Sequence, residues 1–122
     1  MITEEMITED YVSFETAKLL KEKGFNEIVD HCYDLYSFEF IPHCAKHGGQ
    51  VNAPTIQMAI KWLEEKYGVF CVIRRHGNSD DGFSYSWNCE GKMGLSIGNG
   101  GGFKTATEAR EDVIKYCLKN LI

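Results

Sequence analysis

Apolar residues recur along this chain in two rhythms. Phe14, Ala17 and Leu20 fall three apart behind Ser13, which marks one stripe of a helix over 14–23. Ser13 is a suitable N-cap, and Gly24 stands where a left-handed C′ residue belongs. Phe25 is placed to close a Schellman motif against Leu20. Ile56, Ala59, Ile60, Leu63 and Tyr67 repeat the helical step, and Met58 and Trp62 widen that face. Pro54 suits the first turn of this second helix, and Gly68 ends it. Thr105 and Glu108 have capping-box spacing and open a last helix. Ala106, Ala109, Val113, Tyr116 and Cys117 line its face as far as about Asn120.

The second rhythm has a period of two. Residues 83–90 alternate apolar and polar without a break, the pattern of a strand with one wet face. Residues 69–73 form a continuous apolar run rich in β-branched side chains, which predicts a central strand. Between them, Gly77, Asn78, Asp80, Asp81 and Gly82 mark 74–82 as a hairpin loop. Leu95 and Ile97 predict a short third strand. Residues 35–41 alternate in part, with Tyr36, Phe38 and Phe40 on one side and Ser37 and Glu39 on the other. A short strand is expected there, broken by Pro42, Gly48 and Gly49. The predicted fold is α+β, a small antiparallel sheet of two to four strands with three helices packed mainly on one face. It forms one domain over 1–122, in which residues 1–5 are nearly repeated by 6–10 and the first ten are expected to fray.

Composition narrows the function classes. With 43% hydrophobic and 25% charged residues, the 122-residue chain is globular, neither disordered nor a disulfide miniprotein. A formal net charge of -5 argues against a dedicated nucleic-acid binder, which needs a basic footprint. Nothing approaches the roughly 18 consecutive apolar residues of a membrane span. The acidic start is not a secretory signal, so the five cysteines are expected to be reduced thiols in a cytoplasm. Cys71, Cys89 and Cys117 fall at apolar positions and read as small core residues.

Three segments carry a resemblance: ITEDYVSFETAKLLKEKGF, APTIQMAIKWLEEKYG and TATEAREDVIKYCLKNLI. Together they resemble a group of small proteins encoded by phages and prophages of gut bacteria. The segments span under half the chain and coincide with the three predicted helices. The resemblance implies a bacterial host cytoplasm and an accessory viral role, and it carries over no catalytic residue. Whatever is particular to this chain then lies in residues 26–52 and 74–104.

Four constellations in those stretches have chemical content. Cys44 and His47 have C-x-x-H spacing, Cys32 supplies a further thiolate, and His31 or His43 a fourth ligand. That soft set suits a structural zinc, the single cofactor candidate. The bland alternative is a surface loop with incidental histidines. Gly98, Asn99, Gly100, Gly101, Gly102, Phe103, Lys104 and Thr105 lead directly into the last helix. Backbone N–H groups, the helix dipole and Lys104 would attract a phosphate there, with Gly100, Gly101, Gly102, Lys104 and Thr105 as ligand-binding residues. The wording departs from a P-loop at Phe103, and a plain flexible turn explains it equally. Cys32 or Cys44 beside a histidine is a nucleophile candidate without an orienting third group. Tyr33, Tyr36, Phe38 and Phe40 place four aromatics in eight residues, the composition of a partner surface or of a small core.

These features predict a protein that works by binding rather than catalysis. The expected partner is a host protein or a second copy, with inhibition of a host enzyme or defence factor as the concrete form. The alternative is capture of a phosphorylated metabolite or signalling nucleotide at the glycine-rich segment. An enzyme acting on a nucleotide there is the third reading.

Overall fold

The computed structural model describes residues 10–42, 49–78 and 82–122. Helix α1 (Phe14–Glu22) opens on Ser13, whose hydroxyl accepts the Thr16 N–H. It closes as its sequence predicts: Phe25 N–H bonds the Leu20 carbonyl, Gly24 N–H bonds that of Lys21, and Gly24 sits at φ +92°. Helix α2 (Ile56–Tyr67) is capped by Thr55, whose hydroxyl accepts the Met58 N–H at 3.1 Å. Pro54 therefore lies outside the helix rather than in its first turn, and its carbonyl accepts the Val12 N–H at 3.0 Å. Gly68 ends α2 at φ +67°. Met58 is exposed, so the buried face of α2 is narrower than predicted and rests on Ile56, Ala59, Trp62 and Leu63.

Two antiparallel three-stranded sheets complete the α+β fold. The larger has the order β4-β5-β6, from β4 (Phe70–Asn78), β5 (Gly82–Glu90) and β6 (Ser96–Phe103). Tyr85, Trp87 and Cys89 of β5 point towards helix α3 (Ala106–Asn120), while Ser84, Ser86 and Asn88 take the other face. The predicted loop over 74–82 is mostly strand. Arg74 pairs with Ser86 and His76 with Ser84, because β5's polar face gives polar β4 residues an outward place. Asp80 and Asp81, expected at the tip, lie outside the described residues. The short strand expected around Leu95 and Ile97 runs instead through the glycines to Phe103, and both apolar side chains are exposed.

The second sheet holds β1 (Cys32–Asp34) between β2 (Phe40–Ile41) and β3 (Gln50–Asn52). The single strand expected over 35–41 is thus a turn between two short strands. Asp34 Oδ1 accepts the N–H of Tyr36 at 2.7 Å and of Ser37 at 2.9 Å, a side-chain turn that competes with extended pairing.

Helix α3 packs across all three strands of the larger sheet and against α1 and α2. Thr105 caps it, accepting the Glu108 N–H at 3.0 Å. Leu20, Leu63, Val113, Ile114 and Leu118 fill the junction. A polar cluster pins α1 to α3: the Glu111 carboxylate accepts from Ser13 N–H, from the Ser13 hydroxyl and, at 2.6 Å, from the buried Thr16 hydroxyl. Cys89 and Cys117 are buried and Cys71 half-buried, as their apolar positions predict. No helix among the described residues is long and apolar enough to cross a membrane.

Candidate functional site

Alternation along β1 sends Cys32 into the core, while His31 and Tyr33 share the opposite face. Tyr33 lies across from Phe40 in register, so their rings meet at 5.3 Å. His31 stacks flat on Phe40 at 4.7 Å, and Tyr11 tilts over both rings. On the other side Phe14 meets Tyr33 edge-on at 5.7 Å and Phe38 at 4.7 Å. Six rings from four chain segments thus form one continuous surface. Within it Phe40 is 42% exposed and Phe38 60%; Tyr36, on the same turn, is 87% exposed.

The outer part of this surface is held in a costly shape. Phe38 adopts φ 62°, the left-handed region in which a β-carbon meets the following carbonyl. That conformation costs roughly 1–2 kcal/mol for a residue other than glycine. The turn that imposes it is closed by Phe38 N–H to the Asp34 carbonyl at 2.8 Å and Asp34 N–H to the Glu39 carbonyl at 2.9 Å. Gly49 at φ +92° lets the chain pass beneath Tyr36, where an added β-carbon would lie 3.3 Å from the ring. The inner part is anchored. Tyr33 donates its hydroxyl proton to the Val12 carbonyl at 2.7 Å, and burial, with the Glu111 charge nearby, pushes the phenol above its ordinary value. Lys18 sits 5.6 Å over the Phe14 ring, adding a cation at the rim.

Of the four aromatics expected to form a partner surface, Tyr33, Phe38 and Phe40 lie in this patch, with Phe38 and Phe40 exposed and Tyr33 half-buried. Tyr36 is exposed on the same turn, beside Gly49. Sequence reasoning does not place Tyr11, Phe14 or His31 in this patch: it reads His31 as a candidate metal ligand and Phe14 as a core-facing helix residue. Tyr11 and Phe14 fall beside the Ser13 cap, and nothing local links that cap to β1.

The remaining candidates are placed as follows. Cys32 is buried, while His31 is stacked on Phe40 in the ring cluster. Cys44, His47 and His43 lie outside the described residues. Among the described residues, no group of three His, Cys, Asp or Glu is arranged to hold a metal. Gly98, Gly100, Gly101 and Gly102 belong to β6, not to a flexible loop. Gly98 and Gly100 lie beneath the Tyr116 and Trp87 side chains, an intramolecular reason for both glycines. Gly101, Gly102, Lys104 and Thr105 are exposed at the approach to α3, and the Thr105 hydroxyl is engaged in the cap. Another arrangement was not anticipated: His76 Nε2 lies 2.7 Å from Ser86 Oγ on the open face of the larger sheet. A shallow cleft elsewhere is lined by Lys21, Phe25, Asn26, Gln50 and Asn52.

No family model matches the chain, and neither a curated protein nor a solved structure does.

Proposed function

We propose that this protein is a non-catalytic binding module that engages a protein partner through Tyr36, Phe38 and Phe40. The observation that carries the reading is Phe38: a large aromatic side chain held in left-handed backbone, more than half in water. A surface turn of this shape is cheapest with glycine or asparagine. Its contact with Phe14 recovers part of that cost, and a partner that buries the exposed remainder would recover the rest. Stacked, pre-ordered rings lose little entropy on binding, which is why aromatics concentrate in interface centres. In the setting implied by the resemblance to phage and prophage proteins, the partner is a bacterial host protein and the outcome is its inhibition.

Affinity capture from host lysate followed by mass spectrometry tests this reading. One host protein should be retained by the parent chain, lost with Phe38→Ala/Phe40→Ala and kept with Lys104→Ala. Retention by the double variant would overturn the assignment of the surface. The rival, a phosphorylated metabolite or nucleotide held at Gly100, Gly101, Gly102, Lys104 and Thr105, makes the opposite prediction. Nucleotides would raise the melting temperature, and Lys104→Ala would abolish the rise.

A further inference from the structure

Helix α3 covers one face of the larger sheet; on the other, Val72, Arg74 and His76 of β4 are exposed. Residues directly opposite in an antiparallel pair share a face and stand about 5 Å apart. Arg74 is opposite Ser86 and His76 is opposite Ser84, so a guanidinium, an imidazole and two hydroxyls occupy one square. Its diagonal is closed by His76 Nε2 and Ser86 Oγ, 2.7 Å apart. On the neighbouring strand β6 the residue beside Ser86 is Gly101, where a β-carbon would lie 3.5 Å from Ser86 Cβ. The missing side chain leaves a notch next to the serine hydroxyl. Among the described residues Arg74 makes no ion pair. Glu90, the carboxylate on this face among the described residues, is opposite Phe70. It stands four residues from Ser86 along β5, about 13 Å at the rise of a strand. Salt screens exposed charges at that separation.

We infer that this face binds a phosphate monoester carried on a serine or threonine side chain of a partner protein. The Arg74 fork matches two phosphate oxygens, and the Ser86 hydroxyl donates to a third. As imidazolium, His76 donates through Nε2 to Ser86 Oγ and leaves the serine's own proton for the ligand. A phosphate accepts from several directions at once, which suits donors arriving from two strands; a carboxylate has two coplanar oxygens and uses fewer of them. The notch at Gly101 gives the bulky group room beside Ser86. The surface is open, so a free phosphate would stay largely hydrated, whereas one borne on a peptide is held through its neighbours as well. Val72 and Phe70 continue the same row of β4, 37% and 41% exposed, and offer apolar contact to those flanking residues. None of these groups belongs to the ring surface of Tyr36, Phe38 and Phe40, so the two readings stand or fall separately.

The test uses the full chain and three probes: a short peptide with a central phosphoserine between apolar neighbours, the same peptide unphosphorylated, and inorganic phosphate. Proton–nitrogen NMR should show saturable amide shifts with the phosphopeptide, over 72–76, 84–88 and 101, and none with its unphosphorylated twin. Arg74→Gln removes the fork and Gly101→Leu fills the notch, and each should weaken binding about tenfold or more. Both positions are exposed, so the Arg74→Gln chain should melt near the parent's temperature. Should Gly101→Leu not fold, Arg74→Gln decides the matter. Lys104→Ala and Phe38→Ala/Phe40→Ala should bind as the parent does. Absence of saturable shifts, equal binding of the two peptides, or loss with Lys104→Ala in place of Arg74→Gln would overturn the inference. Inorganic phosphate bound as tightly as the phosphopeptide would overturn it too, by making the ligand a free anion.

Discussion

Glycines 98 and 100 show how a residue with no side chain can be a packing residue. A β-carbon on Gly100 would lie 2.7 Å from Trp87 Nε1, and one on Gly98 would lie 2.6 Å from Tyr116 Cε2. The Trp87 ring cannot yield, because it is buried and donates Nε1–H to Asp112 at 2.8 Å. Gly100→Ala should therefore cost about 1–3 kcal/mol by overpacking. Gly101→Ala, with only Ser86 Cβ at 3.5 Å, should change stability by less than about 0.5 kcal/mol. Urea denaturation of the two variants checks the contrast. Tyr33 offers a second test at this scale. Its raised phenol means the folded state holds that proton more tightly than the unfolded chain does. The resulting stability is present below the ordinary value of 10.0 and is lost as pH rises through the folded value. Chemical denaturation at rising alkaline pH should show this loss, and Tyr33→Phe should flatten it. The same substitution removes the bond to Val12, at a cost of about 1 kcal/mol near neutral pH.

Helix α1 fully buries Thr16, Ala17 and Leu20, with Phe14 and Leu19 partly packed against the core, and the polar joint at Glu111 ties it to α3. Glu111→Ala leaves the buried Thr16 hydroxyl and the Ser13 N–H without their acceptor. The expected loss is about 1–3 kcal/mol. Hydrogen exchange should show α1 amides opening more than those of α2. The N-caps of α1 and α3 were legible in the chain, because a cap is a local bond between residues three apart; for α2 the sequence pattern points to Pro54 and passes over the cap beside it, Thr55. The turn after β1 was not legible. Tyr36, Phe38 and Phe40 alternate as a strand would, but Asp34 captures the next backbone N–H groups and ends the strand. Strand β6 was hidden for the opposite reason. Glycine lowers strand propensity, and here pairing with β5 and the rings above it outweigh that loss.

For the whole molecule, the exposed rings and the core make separate demands. Phe38→Asn keeps a residue that tolerates left-handed backbone and removes the ring. The melting temperature should not fall below the parent's, while partner capture is lost. That is the stability–function trade expected where strain serves binding. A variant that lost stability in step with binding would instead make Phe38 a packing residue. The patch draws on residues from Tyr11 to Phe40, and the sequence marked only its later half. Tyr11 is brought there by its bridge to Thr55, and Phe14 by the docking of α1.

Local physics was readable directly from the chain: helices from a three-to-four-residue step, their ends from caps and glycines, the strand 83–90 from strict alternation. Each depends on groups a few residues apart, so the order of residues alone settles it. The pairing of β1 with β2 and β3 and the seating of Gly98 and Gly100 beneath two aromatic rings join distant parts of the chain. No short-range pattern encodes such contacts. They exist only once the fold has brought these segments together.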